Sequence, residues 1–467
     1  MPSTPTGWFR IFDAFIVAAI ICAASLFGIL TRPLDFLAAF WPANAILLGM
    51  MVRWPRLATP LGWIAAIVGY FLADLLTGGT WLATAWLTAG NVAGALTGWL
   101  LFRRHSAKDL HLQNPLSVLR LLTVCAIAAF AAAAVGSGTA PILFDKSWAE
   151  GFWFWFATEL VNSIVILPVL FTFPRYSNER QQRFYFQKED IGWRSAAPFI
   201  ALLASIAATE LIGGPGAIAI PITALLWCAL SYGLFTSAVL TMLLCMWLLI
   251  AISAGFLPIP LEDDFMQSMT SLRLGITLLA LGPLTVASIN RAKTELLRKL
   301  HYSATHDDLT RSLSRKAFFD RGEDLLMESK SSKTPLSVLM VDVDDFKQLN
   351  DQYGHALGDS VLVGLVGAFS ELLREEDIFG RIGGEEFAVL LPGMSIDEAA
   401  KTAGRFQKEA KTISVSPAGG SVARVTVSIG IAMTDVEKNE SLEEVLARAD
   451  NALYEAKENG KDQVICS

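Results

Sequence analysis

The chain has 467 residues, 53% of them hydrophobic, and a net charge of −7, which is length for two or three domains and too apolar for an ordinary soluble chain. Residues 1–300 carry 19 basic and 15 acidic side chains and the rest carry 18 and 29, so a mildly basic front precedes a strongly acidic back that excludes general nucleic-acid binding. The five cysteines Cys22, Cys125, Cys228, Cys245 and Cys466 form no CxxC pair, which excludes a disulfide frame or a zinc site.

Apolar runs close to the ~20 residues that cross a bilayer recur through the front of the chain. They predict ten spans at about 11–30, 36–52, 58–76, 81–102, 117–140, 150–173, 196–212, 217–233, 234–256 and 272–290, with Gly233 turning between two of them. With the N-terminus in the cytoplasm, the inner side collects Arg10, Arg53, Arg56, Arg103, Arg104, Lys108, Arg120, Arg175, Arg180, Arg183, Lys188, Arg194, Arg291, Lys293, Arg298 and Lys299. The outer side holds Arg32, Lys146 and Arg273, beside the acids Glu262, Asp263 and Asp264. This is the positive-inside bias for an even number of spans, and it puts the tail in the cytoplasm. The first segment is followed by further spans and lacks a cleavage context, so it reads as an anchor.

Asn44, Asp74, Asn91, Glu159, Asn162 and Glu210 fall inside these spans. Each marks either a functional site or an inter-helix hydrogen bond that fixes packing. The aromatic run 152–156 reads as an interfacial belt. Phe40-Trp-Pro-Ala-Asn-Ala-Ile-Leu-Leu48, Arg53-Trp-Pro55 and Asn91 resemble the MASE family of bacterial membrane-associated sensors. That resemblance covers about residues 11–290 and implies an all-α polytopic bundle of about eight helices, against the ten that the apolar runs give. It further implies a sensory input module in contact with lipid in the bacterial inner membrane.

Residues 291–306 form a helical connector without glycine or proline. Leu296 and Leu300 share a face with Ile289, which fits a dimerising stalk or a plain continuation of the last span. His301 and His306 show no ligand spacing.

From residue 307 to 467 strands and helices alternate. Leu336–Val341 predicts a buried strand, Asp344–Asp351 a short helix and Gly358–Leu373 an amphipathic helix. Asp377–Leu391 predicts a hairpin turning at Gly383 and Gly384, where loss of Cβ permits a tight turn and close approach of a ligand. Helices at Ile396–Ala410 and Leu442–Asn459 flank a strand at Val422–Ala432, giving an α/β domain around an antiparallel-type sheet. Glu385 and Glu386 at the hairpin tip, with Asp342 at an upstream strand end, supply the hard oxygens that suit Mg²⁺.

Asp308-Leu-Thr310 with Arg315, Asp342 to Asp359, Gly383-Gly-Glu-Glu-Phe387 and Ala449 to Lys457 together resemble the GGDEF family of diguanylate cyclases, in its Gly-Gly-Glu-Glu-Phe form. The resemblance implies condensation of two GTP into cyclic di-GMP and two pyrophosphates, with Mg²⁺ or Mn²⁺. It assigns the metals to Asp342, the Val343 carbonyl and Glu385, with Glu386 nearby. Asn350 and Asp359 would hold the guanine edge, and Asp359 favours GTP over ATP. Lys347, Lys457 and the backbone of Asp345 and Phe346 would meet phosphates, as would Lys461, where the family more often has arginine. Arg374, Asp377 and Arg405 match an inhibitory site for the product, and the active form would be a homodimer.

Plainer readings stand beside these. Asp344 and Asp345 fit solvated helix-start residues, Lys457 a surface lysine, His355 a structural residue, and Arg374 with Asp377 an i, i+3 ion pair. Two other functions compete with an active cyclase: a silent cyclic di-GMP receptor, and a transporter with a regulatory tail.

Overall fold

The computed structural model describes residues 7–30, 38–114, 116–143, 146–174, 193–257, 265–415, 423–435 and 440–467. The charges Arg32, Arg175, Arg180, Arg183, Lys188, Glu262, Asp263 and Asp264 lie outside the described residues, as does the predicted strand start at Val422. The chain divides between Glu295 and Leu296 into two compact units.

The first unit is all helical. It contains α1 (Gly7–Leu30), α2 (Ala43–Arg53), α3 (Pro60–Leu76), α4 (Trp81–Phe102), the four-residue α5 (Ala107–Leu110), α6 (Ser117–Gly136) and the four-residue α7 (Ala140–Leu143). Then come α8 (Trp148–Thr172), α9 (Trp193–Ile212), α10 (Ile220–Ser231), α11 (Leu234–Ser253) and α12 (Phe265–Thr305), which runs past residue 295. Among the described residues, six helices are long and apolar enough to cross a membrane by length and composition: those over 10–30, 117–142, 148–172, 195–212, 234–253 and 266–305.

The ten predicted spans each find a helix, but not each is a full crossing. Residues 36–52 predicted a span, whereas α2 has 11 residues and is ~16 Å long, about half the apolar thickness of a bilayer. Arg273, expected on the outer side at the start of the last span, is packed inside the bundle. It is 1% exposed, donating to Thr158 Oγ1 at 2.6 Å and to the Ala38 carbonyl at 2.9 Å. The aromatic run splits in the same way, with Trp153 outward and Phe152 and Phe154 buried.

The second unit is an α/β domain. It contains α13 (Arg315–Ser332), β1 (Leu336–Val343), α14 (Phe346–Tyr353), α15 (His355–Leu372), β2 (Ile378–Arg381), β3 (Glu386–Pro392), α16 (Ile396–Ala410), β4 (Ser414–Val415), β5 (Ala423–Arg424), β6 (Val427–Met433), α17 (Leu442–Glu458) and β7 (Val464–Cys466). The main sheet has the order β2-β3-β1-β6-β7 and is mixed: β1 runs antiparallel to β3 and β6, whereas β7 adds parallel to β6. Neither α13 nor β7 was evident from hydrophobic pattern.

Alternation along β1 sorts the core onto two faces. Leu339, Val341 and Val343 join Phe387 and Val389 beneath Leu365, Phe369 and Phe406 of α15 and α16. Val338 and Met340 join Ala388 and Leu390 beneath Phe318 of α13 and Val445 and Leu453 of α17. Each fully buried Leu or Phe contributes ~1.5–3 kcal/mol. Ser395 with Glu398, and Ser441 with Glu444, close capping boxes that start α16 and α17, each cap worth ~1 kcal/mol. A side chain at Gly430 of β6 would collide with the backbone of Ala449 and Leu453, so α17 lies directly on the sheet there and its far end is carried to the tip of β1.

Candidate active site

The acids meet at one end of the central strands. Asp342 stands opposite Glu386 in the β1–β3 ladder. By alternation its side chain takes the face of Val338 and Met340, which α17 covers. Lys457 near the end of α17 reaches it there, with Nζ 2.8 Å from Asp342 Oδ2. The plain surface-lysine reading therefore fails. Burial pushes the Asp342 carboxyl up and the Lys457 bond and charge pull it back, while the charges of Glu385 and Glu386 raise it again, to about 6. Among the described residues no three His, Cys, Asp or Glu groups stand close enough to hold a metal as placed. The donor set nevertheless fits one: oxygen ligands with excess negative charge suit a hard divalent cation.

The hairpin turn is held by contacts more than by glycine freedom. Ile382 N and Gly383 N both donate to the Glu386 carbonyl, at 2.9 and 3.2 Å. Neither Gly383 nor Gly384 takes a left-handed backbone; what the turn uses at Gly383 is the missing Cβ, which would collide with the Glu386 carboxylate. Arg381, given no role by sequence reasoning, fastens the tip. Its Nε and Nη2 donate to the Gly384 carbonyl at 3.1 and 2.6 Å, and its Nη1 to Asp307 Oδ1 at 3.0 Å.

Asp344 and Asp345 part company. Asp344 is buried, accepting from Ser428 Oγ at 2.6 Å, Thr426 Oγ1 at 2.8 Å and Asp462 N at 3.0 Å. It ties β1 to β6 and the chain before β7 and is not a solvated helix start. Asp345 is exposed and left-handed (φ 56°) between β1 and α14, with no capping bond, a strained conformation of the kind that gathers at sites. Its carboxylate takes Lys461 Nζ at 2.6 Å, and that bond raises the Lys461 ammonium above its ordinary value. Val343 ends β1, and Phe346 is buried at the start of α14.

Among the described residues, Asn350 of α14 presents a buried Oδ1 with no hydrogen-bond partner. A Cβ at Gly358 would collide with that oxygen, so any larger residue there would have to displace the Asn350 amide. Asp359 on α15 and Lys347 on α14 are exposed.

Arg374 and Asp377 lie between α15 and β2. Asp377 Oδ2 accepts from Arg374 N at 2.7 Å, while Oδ1 is buried without a partner among the described residues. Burial, with Glu376 adding to it, raises this carboxyl against the opposing Arg374 bond and charge. The Arg374 guanidinium lies 3.8 Å from Glu376, so the simple i, i+3 pair is not formed. Arg405 is exposed on α16 and, among the described residues, bonds to neither. His355 is exposed at the first position of α15.

Comparison with known proteins places both units. The family model "Diguanylate cyclase, GGDEF domain" matches residues 304–463, and that of MASE1 matches residues 13–293. A probable diguanylate cyclase, DgcF of Escherichia coli O157:H7, is 27% identical across 98% of this chain and 97% of its own. Diguanylate cyclase DgcM of Escherichia coli K12 is 37% identical over 37% of this chain and 40% of its own. The solved GGDEF domain of DgcB from Caulobacter crescentus, in complex with c-di-GMP, is 31% identical over 35% of this chain and 96% of that one, with a TM-score of 0.34.

Proposed function

This chain belongs to the GGDEF diguanylate cyclase family, behind a multi-pass MASE1 membrane domain, and we propose that it joins two GTP into cyclic di-GMP at the β1–β3 edge. The observation that carries this reading is the rung of Asp342 opposite Glu386, with Glu385 beside it and Lys457 across from it.

Asp342, the Val343 carbonyl and Glu385 would hold Mg²⁺ or Mn²⁺, with Glu386 adjacent. Such ions neutralise a triphosphate and favour in-line displacement at its α-phosphorus. Lys457, already at the carboxylates, would take up phosphate charge. Lys461 is held by Asp345 near the N–H groups of Asp345 and Phe346, and would exchange that carboxylate for phosphate. The Asn350 Oδ1 left without a donor, together with Asp359, would accept from the N1–H and amino group of guanine, a donor pair adenine lacks. Lys347 and the Gly383–Gly384 turn complete the substrate contacts.

Each domain would hold one GTP, so the product needs two domains facing each other in a homodimer. The MASE1 domain would set how often that arrangement occurs, from an inner membrane with the catalytic unit in the cytoplasm. Arg374, Asp377 and Arg405 would bind the product as a brake, the unpartnered Asp377 Oδ1 accepting from guanine.

The test is product analysis with the full chain in lipid nanodiscs, given Mg²⁺ and either GTP or ATP. Cyclic di-GMP from GTP alone, abolished by Glu385→Ala, is the expected result. GTP left intact by a chain that binds cyclic di-GMP tightly would overturn the proposal in favour of a silent receptor.

A further inference from the structure

Three of the polar residues singled out inside the spans converge on one point. Asn44 of α2, Asn91 of α4 and Glu159 of α8, joined by Tyr70 of α3, are 3, 5, 7 and 3% exposed. Asn44 Nδ2 donates to Glu159 Oε1 at 2.5 Å and to Asn91 Oδ1 at 2.9 Å. Asn44 Oδ1 accepts from Tyr70 OH at 2.6 Å and from Trp41 Nε1 at 3.2 Å. An indole N–H can only donate, so the amide orientation is fixed: its oxygen faces Trp41 and Tyr70, its nitrogen Glu159.

Glu159 is thereby left one positive charge short. Among the described residues it receives the single bond from Asn44, and no basic side chain pairs with it. A carboxylate has room for about four such bonds. Packing alone does not call for an acid here, because Asn44, Asn91 and Tyr70 already tie α2, α3 and α4 together, and a glutamine would tie α8 to them. Among the described residues neither Arg273 nor Asp74 bonds to Glu159. Arg273 of α12 bonds to Thr158 and lies over the Phe154 ring at 4.2 Å, and Asp74 of α3 accepts from Thr84 of α4 at 2.5 Å. Tyr70 is the remaining titratable group against the cluster.

We propose that Glu159, with the oxygens of Asn91 and Tyr70, binds one monovalent positive charge inside the membrane domain, supplied as a sodium-like cation or as a proton. One carboxylate among neutral oxygens matches a single charge, whereas a divalent ion would leave a net charge buried among apolar helices. Because Asn44 links the site to α2, α3 and α4, its occupant governs how tightly α8 is held to them.

The test uses the full chain in nanodiscs, with unfolding followed by tryptophan fluorescence, which the cluster residue Trp41 contributes to. Sodium chloride replaces choline chloride stepwise at constant ionic strength, at mildly acidic and mildly alkaline pH. A saturable upward shift in melting temperature with sodium identifies the cation as occupant. An upward shift on acidification with no sodium response identifies the proton. Either response should persist in Glu159→Asp and vanish in Glu159→Gln. The absence of both responses in the unmodified chain overturns the proposal even if the variants fail to fold, as does a response that Glu159→Gln retains. Melting reads the site whether or not cyclase activity is found.

Discussion

Arg381 and Asp307 meet at 3.0 Å, and the same guanidinium holds the Gly384 carbonyl through two further bonds. One side chain thus joins the acidic tip to the segment just beyond α12. Lysine at 381 would keep the charge but not the fork that reaches both partners. Arg381→Lys should leave the domain folded and slow turnover about tenfold, the kinetic equivalent of one charge-assisted bond. Steady-state pyrophosphate release, beside a thermal melt, would check this.

The same pair gives a pH dependence. Burial alone would push the Asp307 carboxyl up, but bonds from the Thr310 N–H and hydroxyl and from Arg381 outweigh it and hold the group below its ordinary value. A carboxyl lowered on folding stabilises fully above its unfolded value of ~3.9 and loses that contribution as pH falls through the folded one. Asp307→Asn should therefore melt lower than the unmodified chain at neutral pH and converge with it in strong acid. Melting temperature against pH for both proteins would test the sign.

Asp342→Asn should separate stability from chemistry. The unmodified carboxyl is pushed up to about 6 because its charge is costly where it sits, so a neutral amide of the same shape should leave the melting temperature level or raised. Turnover should fall about 10²–10³-fold, the scale of losing one preorganised electrostatic contact. A melt lowered together with activity would mean that the residue serves packing.

Much of this was legible in the chain. The short apolar run Leu336–Val341 and the acids at 342, 385 and 386 announced the strands and their edge, because such a run and an adjacent glycine pair survive in one dimension. The role of Arg381 did not show, since its partners Asp307 and Gly384 are fixed only by folding. Asp344 was ambiguous for the opposite reason: its position suggested a site, whereas its three bonds make it scaffold. The short β7 has no pattern of its own and pairs only because β6 offers it an edge. In the membrane unit, composition found the helices but could not tell an 11-residue helix from a crossing.

Asp377 should govern restraint by product without touching the forward reaction. Its Oδ1 is buried and lacks a partner among the described residues, and one such acceptor is worth ~1–3 kcal/mol when satisfied by a ligand. Asp377→Ala should raise the concentration of cyclic di-GMP that halves the rate about tenfold or more. Initial velocity without product should be unchanged. Progress curves with added product would show both.

Glu386 faces Asp342 on adjoining strands, and like charges directly opposite each other weaken a sheet. The rung proposed to serve polyphosphate chemistry would therefore also be a soft spot, where heat tolerance and turnover pull against each other. Laboratory selection for survival on warming, with no demand for product, should discard an acid at 342 or 386 early. The lineages that result would be sturdier and silent.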